Sequence, residues 1–359
     1  MAVPELEKLL GIEIYASKSM GVGGAIRESV DDFVVEEILV DGSKACVNGE
    51  VPARVLGSTA QKQRFLLCAM VKRNWDTFIA VKNIAKSLGI DQTRVQFAGI
   101  KDAKAVTAQY ISIENVSLEV AAKINVKDIQ VRPVGYIREM LSLFYLLGNN
   151  FTITVKGIQG PEAEVKEQIA QTMKEIDAAG GIPNFFGHQR FGTTRPITHL
   201  VGKAIVQGSF EEAAMLFLAK PSIYEHPSSR QARQDLQSTR DFKAAKENFP
   251  KQLRFERTML NYLADNPGDF AGAFRCLPIK LQALFVQAHQ SYLFNRFLSA
   301  RAEHGLPLNT ALEGDYVVGV ERSGLPMTTA SKVVAAQSLA EVNAQINADD
   351  CVLHCPFSG

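Results

Sequence analysis

The 359-residue sequence has little of what usually fixes a protein's class at a glance. Cysteine is scarce: Cys46, Cys68, Cys276, Cys351 and Cys355 are odd in number and scattered, which fits reduced thiols better than a disulfide framework. Long apolar runs are missing. Phe65 to Val71 and Leu143 to Leu147 fall far short of the ~20 residues that span a bilayer, so no membrane anchor is expected. The N-terminus shows no basic start, apolar stretch or small-residue cleavage site, and a cytoplasmic protein is expected. The six histidines are dispersed, without an HExxH pair, and there is no GxSxG serine, so zinc-hydrolase and α/β-hydrolase readings lose their support. The Cys351 to Cys355 stretch lacks a second ligand pair at zinc-finger spacing and reads as a strand end; no metal is expected. The cluster Gly21-Val22-Gly23-Gly24 is followed by neither Lys-Ser/Thr nor a helix, which makes it a turn rather than a phosphate loop. Net charge is nearly absent as well, at +1, and neither marks nor excludes a nucleic-acid protein.

What is present describes an ordinary folding chain, with 46% hydrophobic and 21% charged residues. At ~150 residues per domain, two domains or one domain with an insertion are expected. Up to about residue 210 strand-like and helix-like patterns alternate, as in an α+β domain. Phe33 to Leu39, Phe65 to Val71, Arg94 to Ile100 and Ala105 to Ile113 read as strands. Asp76 to Leu88 reads as a helix capped by Asp76 and closed by Gly89, and Pro161 to Ala179 as a second helix. In that second helix Val165, Ile169, Met173 and Ile176 form a stripe expected to lie across a sheet.

Beyond residue 210 the pattern becomes mainly helical, over Phe210 to Leu218, Arg230 to Asn248, Arg254 to Leu263 and Pro278 to about Ala302. Gly314 to Val318 then reads as a strand entering a smaller β element. The division expected is therefore 1–209 and 210–359. Between Arg230 and Arg257 eight basic residues face four acidic ones, a pattern that a solvated helix face and a phosphate-contacting surface explain equally well.

Two segments stand out chemically. In Ala98-Gly99-Ile100-Lys101-Asp102-Ala103-Lys104 one carboxylate sits between two lysines in a tight strand connection. A charged hairpin tip is the commonest fate of such a sequence. A charged carboxylate favoured by flanking cations also suits nucleophilic or electrostatic catalysis. The second is Gly181-Ile182-Pro183-Asn184-Phe185-Phe186-Gly187-His188-Gln189-Arg190-Phe191-Gly192. Its phenylalanines either plug a core or offer a ring to a base, with an amide for the base edge and a guanidinium for a phosphate.

At these residues the sequence resembles the TruD family of tRNA pseudouridine synthases. The match comprises Gly99-Ile100-Lys101-Asp102 with Thr107 and Gln109, Asn184 to Gly192, Asp32-Phe33-Val34-Val35-Glu36, Asn74-Trp75-Asp76-Thr77, and Ala288-His289-Gln290-Ser291-Tyr292-Leu293-Phe294-Asn295, in the family's order. The resemblance implies a pseudouridine synthase catalytic domain, a mixed sheet with a central cleft, carrying a mostly helical inserted domain from about residue 210. Gly314-Asp315 and Pro356 to Gly359 resemble stretches followed in the family by further chain with an Ala-Thr...Leu-Arg-Glu motif, a segment this sequence does not contain.

The implied reaction converts uridine to pseudouridine in tRNA, at uridine 13, with the base flipped out and no cofactor. The resemblance makes Asp102 the catalytic aspartate, and Phe33, Phe186 and Asn184 residues of the base pocket. Arg27, where the family places a lysine, is either a charge partner of the carboxylate or a phosphate contact. Lys101 and Arg190 are also expected at the substrate, and no obligatory protein partner is implied. Two rivals are a non-catalytic tRNA-binding module, which gives no reason for Asp102 in a site for a polyanion, and a small-molecule enzyme, which predicts a cofactor fingerprint.

Overall fold

The computed structural model describes residues 2–49, 52, 54–321, 326–327, 331–348 and 350–354; Cys355 and the Pro356 to Gly359 stretch lie outside them. In chain order the described residues first form α1 (Glu5–Lys8), β1 (Phe33–Leu39), β2 (Phe65–Arg73), α2 (Thr77–Leu88), β3 (Val95–Phe97) and β4 (Val106–Glu114). Next come α3 (Leu118–Ala121), β5 (Ile129–Ile137), β6 (Leu146–Ile153) and α4 (Glu162–Ala178). Helices α5 (Thr198–Val206), α6 (Phe210–Ala219), α7 (Pro227–Thr239), α8 (Phe242–Asn248), α9 (Arg254–Asp265), α10 (Phe270–Arg275) and α11 (Ile279–Glu303) follow. The last elements are β7 (Tyr316–Gly319), β8 (Lys332–Val333), α12 (Leu339–Asn347) and β9 (Cys351–His354). Contacts divide the chain into a sheet unit, Gly21–Ile169 with Val320–Pro326, and a helical unit, Met1–Met20, Ala170–Gly319 and Met327–Gly359.

The sheet unit is a mixed six-stranded sheet in the order β5-β2-β4-β1-β6, with β3 also on β4. Both faces of its central strands are covered: β2 reads as an apolar run, and β4 is buried along nearly its whole length. Leu66, Cys68 and Met70 of β2 join Ile111 and Ile113 of β4 in a core with Val81, Ile84 and Ala85 of α2. The alternate residues Leu67, Ala69, Ala108 and Tyr110 pack on the other face with Leu39 and Val55. Each fully buried Leu or Ile contributes about 1.5–3 kcal/mol. Asp76 caps α2 by accepting from the N–H groups of Phe78 and Ile79, and Gly89 ends it in the left-handed conformation, φ 65°.

Register decides what meets at one end of this sheet. Strands β1 and β4 are parallel, with Val34 opposite Val106 and Val35 opposite Thr107. Antiparallel β2 places Lys72 opposite Thr107 and Arg73 opposite Val106. The start of β1, the end of β2 and the loop entering β4 therefore converge.

In the helical unit α5, α6, α7, α9, α10 and α11 share one core, including Val201, Ala214, Leu236, Leu260, Phe274 and Phe285. Helices α5 and α11 approach so closely at Gly202 that a Cβ there would sit 1.9 Å from the Phe285 carbonyl oxygen, so only glycine fits. The expected boundary at 209/210 falls between α5 and α6, which bury their apolar faces in this same core. A separate sheet, β8-β7-β9, contains the expected strand after Gly314.

Three expectations are corrected. The stripe on α4 is not covered by a sheet: Ile169 and Met173 are 46% and 52% exposed. The single helix expected over Arg230 to Asn248 is two, because Arg240 adopts φ 53° and Asp241 caps α8 through Ala244 N. The basic run, read equally as a solvated face or a phosphate-contacting surface, is neither along its whole length. Arg233 is buried, bonding Glu225 at 2.9 Å, Glu256 at 2.7 Å and the carbonyls of Phe217 and Leu218. Arg240 pairs with Glu211, and Arg257 caps carbonyls of Lys246 and Phe249. Lys243, Lys251 and Arg254 remain exposed.

Candidate active site

Asp102 lies in the loop between β3 and β4, at the converging end of the sheet. Its carboxylate accepts from Arg27 Nη2 at 2.8 Å and is 36% exposed, so an incoming group can reach it. The Arg27 guanidinium also lies over the Phe33 ring, 3.7 Å from its centroid, a stacking worth roughly 0.5–2 kcal/mol. Phe33 itself is buried, edge-on to Phe151 at 5.9 Å. Carboxylate, guanidinium and ring thus form one column.

Local structure holds that column in place. Gly24 runs so close to β6's continuation that a Cβ would meet Val155 Cγ1 at 2.7 Å and Lys156 O at 2.8 Å. Ala25 then pairs with Lys156 through both backbone groups. Arg27 adopts φ 61°, a conformation costly for a side-chain-bearing residue, and it does so where its side chain reaches both Phe33 and Asp102. Just before Phe33, Asp32 accepts from Lys156 Nζ and Ser29 N, each at 2.7 Å. The Lys156 bond, with the Ser29 bond, holds the Asp32 carboxyl at about 2.

Behind Asp102 is a buried polar network. Lys101 Nζ bonds Glu37 Oε1 at 2.6 Å, and both side chains are sealed from solvent. Tyr110 N donates to the other Glu37 oxygen at 2.9 Å. Burial still pushes the Glu37 carboxyl above its usual range, against the pull of Lys101. Lys101, expected at the substrate, therefore turns its ammonium into the core and anchors the loop to β1. Thr77 Oγ1 bonds both the N–H and the carbonyl of Lys101, at 3.1 and 3.2 Å. Gln109 Nε2 donates to Gly99 O at 2.9 Å. Lys72 Nζ donates to Trp75 O and Asp102 O, both at 2.7 Å, and to Lys101 O at 3.4 Å.

The second sequence segment lies in the helical unit. Phe186 is half-buried, edge-on to Phe294 at 5.4 Å, with the Arg190 guanidinium 5.5 Å from its ring centroid. Arg190 Nε donates to Ser291 Oγ at 2.9 Å, and Asn295 bonds both backbone groups of Phe186. The segment Ala288 to Asn295 thus acts as the support of the loop through Ser291, Phe294 and Asn295. Asn184 is exposed and lines a cleft of about 220 Å³ with Pro183, Phe294, Phe297, Arg301 and Asp315. Below the loop, His199 is buried between Phe191 and Tyr292, and burial lowers it to about 4.

The structure brings Asp102, Arg27 and Phe33 together in the sheet unit, and Phe186 and Arg190 in the helical unit. Lys72 and Glu37 went unnoticed in the sequence. Lys72 carried no clear signal, since it sits beside Arg73 where the apolar run of β2 ends, and the Glu37 signal was a second acid following Glu36 at a strand position facing inward.

A family model described as tRNA pseudouridine synthase D (TruD) matches residues 9–359. A probable tRNA pseudouridine synthase D of Methanosarcina barkeri is 40% identical over 359 residues, covering 100% of this chain and 78% of that protein. One from Pyrococcus abyssi is 38% identical over 345 residues, covering 96% and 78%. The crystal structure of the TruD protein of Methanosarcina mazei superposes with a TM-score of 0.88 at 39% identity, covering 98% of this chain and 77% of that one.

Proposed function

This chain belongs to the TruD family of tRNA pseudouridine synthases and isomerises uridine to pseudouridine in tRNA, and from that premise we propose that Asp102 is the carboxylate on which the reaction turns. The observation that carries this reading is the accessible carboxylate bonded at 2.8 Å to a guanidinium that itself rests on a buried ring. The isomerisation breaks the N1–C1′ bond and forms C5–C1′; a proton leaves C5 and N1 gains one, so atoms and electrons balance within the nucleotide. Asp102 attacks either at C1′, displacing N1 and itself displaced when C5 bonds to the sugar, or at C6, leaving after the C5–C1′ bond forms, when C5 loses its proton and the C5–C6 double bond is restored. The uridine must leave its stack first, at a cost of a few kcal/mol.

Phe33 supplies an apolar surface beside the carboxylate. Arg27 offsets the carboxylate charge where a polyanion must approach. Asn184, Phe186 and Arg190 contact the tRNA by hydrogen bonding, stacking and charge respectively. Lys101 acts through the loop rather than on the substrate. Uridine 13 of tRNA is the site modified, and the inserted helices of 210–359 bear on that choice. A tRNA substrate supports a cytoplasmic setting, and no helix among the described residues is long and apolar enough to cross a membrane.

The test uses tRNA tritiated at uridine C5. Asp102→Asn keeps size but removes the nucleophile, and should bind tRNA while releasing no tritium. Release at the parental rate eliminates the assignment. Mapping pseudouridine in treated tRNA decides the position.

A further inference from the structure

Lys72 poses a physical question that its surroundings answer. It follows the apolar run of β2, next to the exposed Arg73, yet is fully buried, and has no carboxylate within ion-pair distance among the described residues. A buried cation without a direct counter-ion is costly, and an apolar side chain would serve the core better. The compensation is three main-chain carbonyls, of Trp75, Lys101 and Asp102, one for each ammonium hydrogen.

We propose that Lys72 is a positioning residue for the reaction: its ammonium clamps the carbonyls of Lys101 and Asp102 and so fixes the main chain from which the catalytic carboxylate projects. This rests on the assignment of Asp102. Thr77 holds the Lys101 peptide on both sides, but among the described residues only Lys72 bonds the Asp102 carbonyl through a side chain. Being sealed from solvent, Lys72 has no surface to offer tRNA, so its effect falls on turnover and not on binding. A shift of about 1 Å in a reacting group costs on the order of 100-fold in rate.

The clamp needs all three hydrogens. A neutral amine donates only two and turns a lone pair toward a carbonyl. Burial lowers Lys72 to about 8; Asp76 and Asp102 oppose that fall and Lys101 adds to it. The other residues facing it, Thr107 of β4 and Ile129 of β5, carry no charge, and Glu37 is engaged by Lys101.

The experiment measures single-turnover tritium release, tRNA binding and thermal melting for Lys72→Met, Lys72→Arg and Asp102→Asn. Lys72→Met should lose about 100-fold in rate with tRNA affinity near parental. Lys72→Arg, which restores charge and donors, should recover part of it. The parental rate should also fall as pH rises through about 8 while circular dichroism stays native, and Lys72→Arg should move that fall upward. Parental turnover in Lys72→Met overturns the clamp and leaves the Asp102 assignment standing; parental turnover in Asp102→Asn removes that assignment instead. If Lys72→Met fails to fold, Lys72→Gln takes its place, and parental turnover in that variant overturns the proposal.

Discussion

Asn295 pairs with Phe186 as a neighbouring strand would. Its side-chain carbonyl accepts the Phe186 N–H at 2.9 Å, its amide donates to the Phe186 carbonyl at 3.0 Å, and the second amide hydrogen reaches Leu10 O at 2.8 Å. One buried side chain of α11 therefore ties down both the aromatic loop and the N-terminal segment. Asn295→Ala should cost roughly 1–3 kcal/mol for each buried group left unpaired. Asn295→Asp should be worse, because a carboxylate then faces two carbonyls. Thermal melting of the two variants ranks them, and equal stability of Asn295→Asp and the parent contradicts the pairing.

Phe186 separates packing from recognition. A fully buried phenylalanine costs about 3–5 kcal/mol on truncation, and this half-buried ring should cost less. Phe186→Ala should therefore depress turnover much more than melting temperature. A large loss of stability with unchanged specific activity identifies the ring as a core plug.

Arg27 is tested by graded replacement. Arg27→Ala leaves Asp102 without its ion-pair partner and should reduce turnover about tenfold, the ion pair being partly solvated. Arg27→Lys keeps a charge in reach but loses the planar stack on Phe33, and should fall between the two. Parental kinetics for Arg27→Ala would confine it to a structural role.

Acid stability has a definite sign. His199 is lowered from its ordinary value near 6.5 to about 4, so the unfolded chain binds the extra proton first. Its contribution is complete above about pH 6.5 and is lost as pH falls toward 4. Asp32, held at about 2, loses its contribution below the usual carboxylate range, as pH approaches 2. Melting temperature should therefore decline in two stages, and His199→Phe should flatten the first. An unchanged first stage in that variant assigns it to other groups.

The basic run offers a test of tRNA binding at its exposed members. Arg233→Glu would bury an acid against Glu225 and Glu256 and should destabilise by about 3–5 kcal/mol, which obscures any binding effect. Lys243, Lys251 and Arg254 replaced by Glu should leave melting unchanged. If they meet phosphates, the slope of log affinity against log salt falls by about 0.7–0.9 for each phosphate no longer neutralised. An unchanged slope makes them a solvated face.

The legible parts of the fold were those decided by local pattern. Phe33–Leu39 and Thr77–Leu88 carry their own periodicity and caps, and the structure places them as read. The α4 stripe has the same periodicity without a covering partner, because spacing reports an amphipathic helix and not what lies opposite. The break at Arg240 depends on one left-handed residue that is neither Gly nor Asn. In the candidate site Asp102 and Arg27 were visible through motif resemblance. The inward turn of Lys101 was not, since its partner Glu37 is sixty-four positions away and meets it only through the parallel pairing of β1 with β4.

That pairing also sets when the site can exist during folding. Antiparallel β2 and β4 are joined through α2 and β3, whereas β1 reaches β4 only in parallel and by closing a longer loop, a slow kind of pairing to form. Until it docks, Lys101 has no Glu37, Arg27 has no Asp102, and Phe33 has no seat. The β1–β6 pairing closes a longer loop still, so recovery of catalytic activity on refolding should follow these long-range closures and lag the return of helix and strand.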